Sequence, residues 1–278
     1  MSCIFKIKEG FNSFTNTEKK LAEYILNNSK KVVSLSAQEL AKNANISPAA
    51  VVRFSKSLGY KGFTALKVDL ARNSGENEKE IDITIEPDES TEAIVKKIGK
   101  SNTNTIKETL NLINIEKISS AIDILCNAKN IYLFGIGASG LVAIDFQYKL
   151  LRINKQVVYQ NDPHIQLASS VHIGSGDVAL GISYGGESKE VNLGIKKAKE
   201  NGAKTIAITK YNKNTLSKLG DIVLYLPNEE KELRLGAISS RIAALTLTDI
   251  LFLGIAREDF YTMEEHLIDT REMIQQLK

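Results

Sequence analysis

The sequence predicts an all-α domain at the N-terminus, followed by an α/β domain with a doubly wound, parallel, five-stranded sheet. Three observations lead to this fold class. Residues 1–72 have helical periodicity and helix caps, residues 73–90 are polar and acidic, and from residue 130 short apolar runs alternate with amphipathic helices. Such alternation is typical of a parallel sheet wrapped by helices. We therefore expect one domain at 1–75 and a second at 91–278, joined by a linker at 76–90.

The composition limits the class of protein. The chain has 278 residues, enough for two domains with cores of their own. Its two cysteines, Cys3 and Cys126, are too few for a disulfide framework and lack metal-ligand spacing. The first residues contain no apolar core of a signal peptide, and the stretches 131–146 and 242–256 are shorter than the roughly 20 residues of a membrane helix. We expect a cytoplasmic protein without a metal, a cofactor or a membrane partner.

The charge is distributed unevenly along the chain. Residues 1–75 hold 12 Lys and Arg against 5 Asp and Glu, a balance of +7, whereas the remaining 203 residues hold 24 against 28, a balance of −4. A basic N-terminal part suits a polyanion such as DNA, because binding releases condensed counterions. On charge alone, a solvated helical surface with surplus lysine remains an equal alternative.

Helix starts are marked clearly in the N-terminal domain. Thr15 with Glu18, and Ser36 with Glu39, form the sequence pattern of a capping box. Ser47 is a good N-cap ahead of Pro48 at the first helical position, and this third helix should end near Gly59. Between the second and third helices only residues 44–46 are left for a turn, which is the spacing of a helix-turn-helix motif.

The second helix of such a motif enters the major groove of DNA, so its outward residues become candidate DNA contacts. Leu40, Ile46, Val51 and Phe54 are spaced to form the small core of the motif. Ala49 and Ala50 are small enough for close approach to thymine methyl groups, and Arg53 and Lys56 suit guanine or phosphate. The full set of candidate DNA-binding residues is Gln38, Ser47, Ala49, Ala50, Arg53 and Lys56.

The α/β domain is predicted element by element from apolar runs and helical periodicity. Two helices are expected within 91–128, a long apolar helix within 234–256 and a polar helix at 262–277. The expected strands are 130–135, 156–160, 177–183, 204–209 and 221–226. The expected connecting helices are 138–152, 163–172, 187–201 and 214–219.

A glycine-rich loop follows the first predicted strand. Gly135-Ile-Gly137-Ala-Ser139-Gly140 precedes a helix, and backbone amides at a helix start bind anions together with the helix dipole. The spacing of the three glycines also fits a dinucleotide-binding fingerprint, with Asp162 roughly 20 residues further on. On this loop alone, a dinucleotide and a phosphorylated small molecule remain alternatives.

A second loop of the same kind, Ser183-Tyr-Gly185-Gly186-Glu-Ser188, follows the third predicted strand. Serine hydroxyls and the amides of Gly185 and Gly186 form a second expected anion site, at the strand end where open α/β sheets bind ligands. A dinucleotide needs only one such loop, whereas a phosphorylated sugar can use both. We therefore favour a sugar phosphate over a dinucleotide, with a serine-capped tight turn as the purely structural interpretation.

Taken together, these motifs make the chain resemble the RpiR-type bacterial transcriptional regulators, in which a helix-turn-helix precedes a sugar isomerase (SIS) domain. The resemblance extends over about residues 4–255. The residues that carry it are 40–41, 46–47, 51–54, 58–63, 135–139, 183–188, 240–242 and Asp249. It implies that Ser139, Ser183 and Ser188 hold the phosphate and hydroxyls of the ligand. The second loop departs from the family pattern, because Gly185 and Ser188 stand where the family usually has Ser and Thr.

SIS folds also occur in sugar-phosphate isomerases, which need an acid/base pair to move a proton between adjacent carbons. The candidates are Glu187, His164, Glu230 and Glu232. The position of Glu187 is explained equally well by the helix dipole, which favours a carboxylate at a helix start. For His164, the alternative to a ligand contact is a solvated side chain or a helix cap. Because no nucleophile–base or metal constellation occurs, we expect a sensor without turnover and assign no catalytic residue.

The resulting hypothesis is a transcriptional regulator, more specifically a repressor of sugar metabolism genes, released from DNA by a phosphorylated sugar or amino sugar. The expected ligand-binding residues are Gly137, Ser139, His164, Ser183, Gly185, Gly186 and Ser188. Duplex DNA is the expected macromolecular partner, and a homodimer or homotetramer the expected assembly, because symmetric operators need two DNA-binding domains. The alternatives are a ketose/aldose phosphate isomerase and a dinucleotide-sensing regulator.

Overall fold

The computed structural model describes residues 3–11, 14–73, 88–228, 236–258 and 260–277. The chain divides into two compact units, Met1–Thr84 and Ile85–Lys278, which are described one at a time. Most of the expected linker at 76–90 lies outside the described residues, as do Glu230 and Glu232.

The N-terminal unit is helical throughout its described part, as the sequence predicts. Both capping boxes form, since the Thr15 and Ser36 side chains accept hydrogen bonds from the backbone of Glu18 and Glu39. Leu21, Leu40 and Phe54 are among the side chains buried in its core. The helices are α1 (Cys3–Gly10), α2 (Asn16–Asn27), α3 (Ser29–Ser34), α4 (Ala37–Asn43), α5 (Pro48–Ser57) and α6 (Phe63–Asn73).

Helices α4 and α5 form the predicted helix-turn-helix. Asn45, with φ of 53°, reverses the chain, and the Ile46 amide donates to the Ala41 carbonyl. The Ser47 hydroxyl then accepts from the Ala50 amide and caps α5, with Pro48 at its first position. Gly59, with φ of +84°, ends the segment in a conformation that favours glycine.

The second unit begins with α7 (Thr91–Leu112) and α8 (Ile115–Cys126) and then alternates between strands and helices. The strands are β1 (Ile131–Phe134), β2 (Val157–Val158), β3 (Val178–Ile182), β4 (Lys204–Lys210) and β5 (Ile222–Leu226). The helices after them are α9 (Ala138–Leu151), α10 (Pro163–Ser170), α11 (Lys189–Glu200), α12 (Thr215–Leu219), α13 (Ser239–Glu258) and α14 (Phe260–Gln275).

The five strands form one parallel sheet in the order β2-β1-β3-β4-β5. After β1 the chain passes to β2 on one side and then to β3 on the other side of β1, so the order reverses between β1 and β3. Loops at such a switch point diverge from the carboxyl ends of the strands and leave a crevice, which is where open α/β sheets bind ligands. The two predicted glycine-rich loops follow these two strands.

Apolar side chains cover both faces of the sheet, which fixes the doubly wound arrangement. One face packs against α8, α9 and α13, with Phe146, Leu150 and Leu251 fully buried. The opposite face packs against α11 and α12, where Ile195 and Leu216 are fully buried. The predicted fold class is therefore confirmed, including the five-stranded sheet.

Helix α13 is the most apolar long helix of the described residues. It has 20 residues, and its most apolar 18-residue window has a mean hydropathy of 1.4. The helix is thus long and apolar enough to span a membrane by length and composition, but half of that window is buried within the unit. It packs against α7, α8, α9 and β5 as a core helix. Leu253 is exposed, whereas Leu247, Leu251 and Ile255 are buried. Much of the apolar surface of this helix is thus covered within its own unit.

Candidate functional site: a serine-lined pocket and a helix-turn-helix surface

The first loop leaves the start of α9 open to an anion. Gly137 precedes α9 with φ of 60° and ψ of −127°, and no side chain caps the helix. By contrast, Asn114, Asp162 and Asn214 cap three other helices of this unit with their side chains. The uncapped amides at the start of α9 therefore remain available to a bound group, together with the positive end of the helix dipole.

A buried glutamine holds this loop in place. The side-chain carbonyl of Gln166 accepts from the Gly135 amide at 3.2 Å, and its NH₂ donates to the Gly135 and Gln160 carbonyls at 3.0 and 2.7 Å. The Tyr159 hydroxyl adds a bond to the Gly135 carbonyl at 3.1 Å. Gln166 is only 3% exposed. The peptide groups of Gly135 are therefore used for positioning, and the residues of this loop that line the pocket are Ile136, Ala138 and Ser139.

The second loop places two hydroxyls next to each other. Ser183, 4% exposed, directly follows β3, and its Oγ lies 3.0 Å from the Oγ of Ser188, which precedes α11. Ser188 has the N-cap position, yet its hydroxyl makes no cap bond, so the start of α11 is also uncapped. Because the Ser183 Oγ already accepts from the Gly186 amide at 3.2 Å, it can donate to Ser188 and leave the Ser188 proton for a ligand oxygen.

Contacts from α11 and α12 fix the back of the second loop. Both carboxylate oxygens of Glu187 accept from Thr215, one from its amide at 2.9 Å and one from its hydroxyl at 2.6 Å. The Gly186 carbonyl accepts from the Leu216 amide at 3.0 Å and from the Asn192 side chain at 3.1 Å. The bonds from Thr215 lower the pKa of Glu187, which keeps this carboxylate ionised.

The two loops line one cavity of about 140 Å³ above the sheet. Ser139, Ser183, Gly185 and Ser188 contribute to its wall, as expected from the sequence. Ser240 and Arg241, from the first turn of α13, complete the polar part. The rest is apolar and comes mainly from Ile136, Val142, Ile182, Leu226, Ala237 and Ala244. Arg241 supplies a permanent positive charge, so the pocket has a cation, serine hydroxyls and helix amides for one anion.

The helix-turn-helix presents a polar, basic surface. Gln38, Ser47, Ala49, Arg53 and Lys56 are all exposed, which is compatible with the predicted contacts to DNA. Ala50 differs from the expectation, because it is only 8% exposed and lies on the inner side of α5. Ala50 therefore contributes to packing, whereas Ala49 remains the alanine that faces outward.

Matches to known proteins agree with both halves of this description. The helix-turn-helix domain model of the rpiR family matches residues 1–77, and the SIS domain model matches residues 124–254. An uncharacterised HTH-type transcriptional regulator of Caldanaerobacter subterraneus subsp. tengcongensis is 40% identical over 98% of this chain and 96% of its own length. The chain belongs to the RpiR family of helix-turn-helix transcriptional regulators. The HTH-type regulator YbbH of Bacillus subtilis is a further relative, 35% identical over 94% of this chain and 93% of its own.

Two solved structures are similar to this RpiR-family chain in their three-dimensional fold as well. The NanR protein of Vibrio vulnificus, solved in complex with ManNAc-6P, is 25% identical and covers 99% of both chains with a TM-score of 0.64. The sugar isomerase domain of an RpiR transcription factor from Sphaerobacter thermophilus covers 64% of this chain and 98% of its own at a TM-score of 0.57 and 19% identity. The second likeness establishes the SIS fold.

Three of the expected ligand residues of this RpiR-family protein, Gly137, His164 and Gly186, are not part of the pocket wall. Gly186 is buried, and its amide already donates to the Ser183 carbonyl and hydroxyl, so it does not offer a donor to a ligand. His164 is exposed at the start of α10 and is not part of the pocket wall. Asp162 caps that helix by accepting from the His164 and Ile165 amides at 2.7 and 3.2 Å. The inward orientation of the Gly186 amide could not be predicted, because sequence cannot tell the inner side of a loop from the outer.

Sequence reasoning missed Gln166, Ser240 and Arg241 as parts of the site. Gln166 gave no local signal, since its function depends on where α10 packs. Ser240 and Arg241 belong to the residues of the family resemblance, and an Arg at the start of an apolar helix was a signal that could have been used. No group of three or more metal-ligating side chains occurs in the described parts of this RpiR-family chain.

Proposed function

We propose that this protein is a cytoplasmic repressor of sugar metabolism genes, which a phosphorylated sugar or amino sugar releases from its DNA operator. The observation that supports it most is the convergence of two uncapped helix starts, four serines and Arg241 on one pocket. The same chain has an exposed basic helix-turn-helix surface in its other unit.

The chemistry of the pocket suits a phosphate ester. A phosphate accepts several hydrogen bonds and carries up to two negative charges, so it can use the amides at the start of α9, the Ser188 hydroxyl and the Arg241 guanidinium at once. The apolar wall suits the carbon skeleton of a sugar. NanR from Vibrio vulnificus, which is similar over its whole length, was solved with ManNAc-6P, an amino sugar phosphate. This likeness supports the inclusion of amino sugar phosphates among the candidate ligands.

We propose that the protein binds its ligand without converting it to another compound. An isomerase needs a group that can both take and give a proton near neutral pH. Glu187 is held ionised by two bonds from Thr215, and His164 lies outside the pocket wall. Neither of these two candidates is thus suited to act as an acid/base residue, which favours a sensor over an isomerase; Glu230 and Glu232 lie outside the described residues.

Operator binding is proposed to require a homodimer or homotetramer, because a palindromic operator presents two half-sites to two recognition helices. We propose that Gln38, Ser47, Ala49, Arg53 and Lys56 contact DNA, with α5 as the recognition helix. A ligand can change operator affinity only if it binds the DNA-competent and DNA-incompetent arrangements with different free energies.

Calorimetry with hexose phosphates and amino sugar phosphates, each repeated with operator DNA present, tests the proposal. Removing the phosphate should weaken binding more than about tenfold, since one hydrogen bond to a charged group contributes roughly 1.5–3 kcal/mol. Ser139→Ala and Ser183→Ala should each weaken ligand binding and leave DNA binding intact without ligand. Failure of every sugar phosphate to bind, equal affinity with and without operator, or turnover of a ligand to its isomer would contradict it.

A further inference from the structure

Helix α7 is oriented with its polar side toward the domain and its apolar side toward solvent. The side chains that it buries are Ser101, Thr105, Thr109 and Leu112, three of them polar. Its opposite side carries Val95, Gly99, Thr103, Ile106 and Leu110, all exposed, and these five residues are called the outer face of α7. A surface helix of a globular unit normally has the reverse arrangement.

The outer face of α7 has the geometry of a helix-packing seam. Its members follow one another at spacings of four, four, three and four residues, so they form one continuous stripe along the helix. Val95 is 66% exposed and Leu110 51% exposed, at the two ends of the stripe. At Gly99, halfway between Val95 and Thr103, a Cβ atom would have no heavy atom within 4 Å. A second helix can approach closely there, as small residues permit at helix contacts.

Helix α14 is a second helix that leaves large apolar side chains exposed. None of its 16 residues is buried, yet it carries several large apolar side chains. Tyr261 is 82% exposed, Ile268 49% and Ile274 58%. Met263 and Leu267 only partly pack against the domain core, which leaves the rest of the helix surface uncovered. A helix of this length is marginal in water on its own and gains most of its stability from packing.

The charges of the two helices are complementary. Helix α7 contains four Lys and two Glu, a balance of +2, whereas α14 contains four acidic residues and one Arg, a balance of −3. Lys96 and Lys100 flank the outer face of α7, and Glu265 and Glu272 flank Tyr261 and Ile268 on α14. Pairing α7 with a copy of itself would bring like charges together, whereas pairing it with α14 brings opposite charges together.

We propose that the outer face of α7 binds α14 of a second copy of this chain. In a two-fold dimer the contact occurs twice, because α7 of each chain receives α14 of the other. At 1.5 Å per residue, α14 is about 24 Å long and can cover most of the stripe from Val95 to Leu110. Two such contacts cover the outer face of α7 and exposed apolar side chains of α14 in each chain, and they locate the dimer interface on these two helices.

Sedimentation of the full chain at micromolar concentration tests the proposal, with the chain mass of 30.6 kDa as the reference. The wild type should have at least twice that mass. Ile106→Ser with Leu110→Ser should weaken association on the order of a hundredfold, because each change is present twice in the dimer. Leu193→Ser, at an exposed leucine of α11, is the matched control and should leave the mass unchanged. Thermal melting and circular dichroism establish that each variant folds.

Charge reversal tests whether α14 of a second copy, and not another partner, binds the outer face of α7. Lys96→Glu with Lys100→Glu should dissociate the dimer, and adding Glu265→Lys and Glu272→Lys in the same chain should restore it. Recovery would support the pairing of α7 with α14. A wild type of monomer mass, α7 variants that associate like the wild type, or a four-substitution chain that stays dissociated would each overturn the proposal.

Discussion

Gly185 and Gly186 are neighbours in the second loop but have opposite surroundings. A Cβ atom on Gly186 would lie 2.1 Å from the Asn214 Cγ, and the φ of +74° disfavours any other residue. Gly185 lines the pocket, and a Cβ atom on it would meet nothing within 4 Å. One glycine is therefore required by the fold, whereas the other sets the space available to the ligand.

Substitution of the two glycines should separate stability from ligand choice. Gly186→Ala should lower the free energy of unfolding by about 1–3 kcal/mol, because Asn214 and the backbone must both shift. Gly185→Ala should change it by less than about 0.5 kcal/mol, since the methyl group has room. Urea unfolding of both variants measures the difference, and equal stabilities would show that the packing of Gly186 against Asn214 is misjudged.

Glu187 should make the stability of the second loop depend on pH. Its folded-state pKa lies below the ordinary value, because Thr215 donates two hydrogen bonds to the carboxylate, with Lys218 nearby as a weaker cause. The ionised group therefore stabilises the fold above the ordinary carboxyl pKa, and this contribution disappears as the pH falls through the lowered pKa. We expect Glu187→Gln to melt below the wild type at pH 7, with a difference that shrinks toward acidic pH. A difference that persists unchanged down to low pH would contradict this account.

At the scale of elements, the helices and strands could be predicted because their signals are local. The caps at Thr15, Ser36 and Ser47 and the apolar runs of the five strands depend on residues a few positions apart. The positions of the two glycine-rich loops were predictable for the same reason, since each directly follows an apolar strand; that they bind an anion stays a prediction.

What the sequence did not predict depends on contacts between distant residues. Gln166 reaches Gly135 from 31 positions away, and Thr215 reaches Glu187 from 28 positions away. Arg241 enters the pocket only because α13 packs beside α9. The burial of Ala50 on the inner side of α5 likewise follows from packing, since a one-residue shift around a helix moves a side chain by about 100°.

Helix α5 should determine DNA affinity through its exposed positions. Arg53→Ala should weaken operator binding by about 1–3 kcal/mol if the guanidinium contacts a base. Lys20→Ala, at an exposed lysine of α2, is the control and should have a smaller effect. Mobility shift with a set of operator variants measures both, and an Arg53 variant that binds like the wild type would remove this residue from the DNA interface.

For the whole molecule, the uneven charge should govern how DNA binding responds to salt. The basic N-terminal part, +7 over residues 1–75, releases counterions when it meets DNA, so affinity should fall steeply as salt rises. Between 50 and 200 mM salt the loss should reach about a thousandfold if six phosphates are contacted. Ligand binding by the pocket should weaken far less over this range. Operator affinity that is independent of salt would contradict electrostatic recognition.

The residues that hold the two ligand loops in place differ from those that line the pocket, and this separation affects how such a regulator can diverge in evolution. Gln166 holds the first loop through Gly135, and Asn192 and Thr215 hold the second loop through Gly186 and Glu187. Residues on the ligand side, such as Gly185 and Arg241, take no part in those bonds. Mutations at these pocket-lining positions can therefore change which effector is bound without unfolding the domain. Paralogues that respond to different metabolites can thus arise by few substitutions while the fold stays the same.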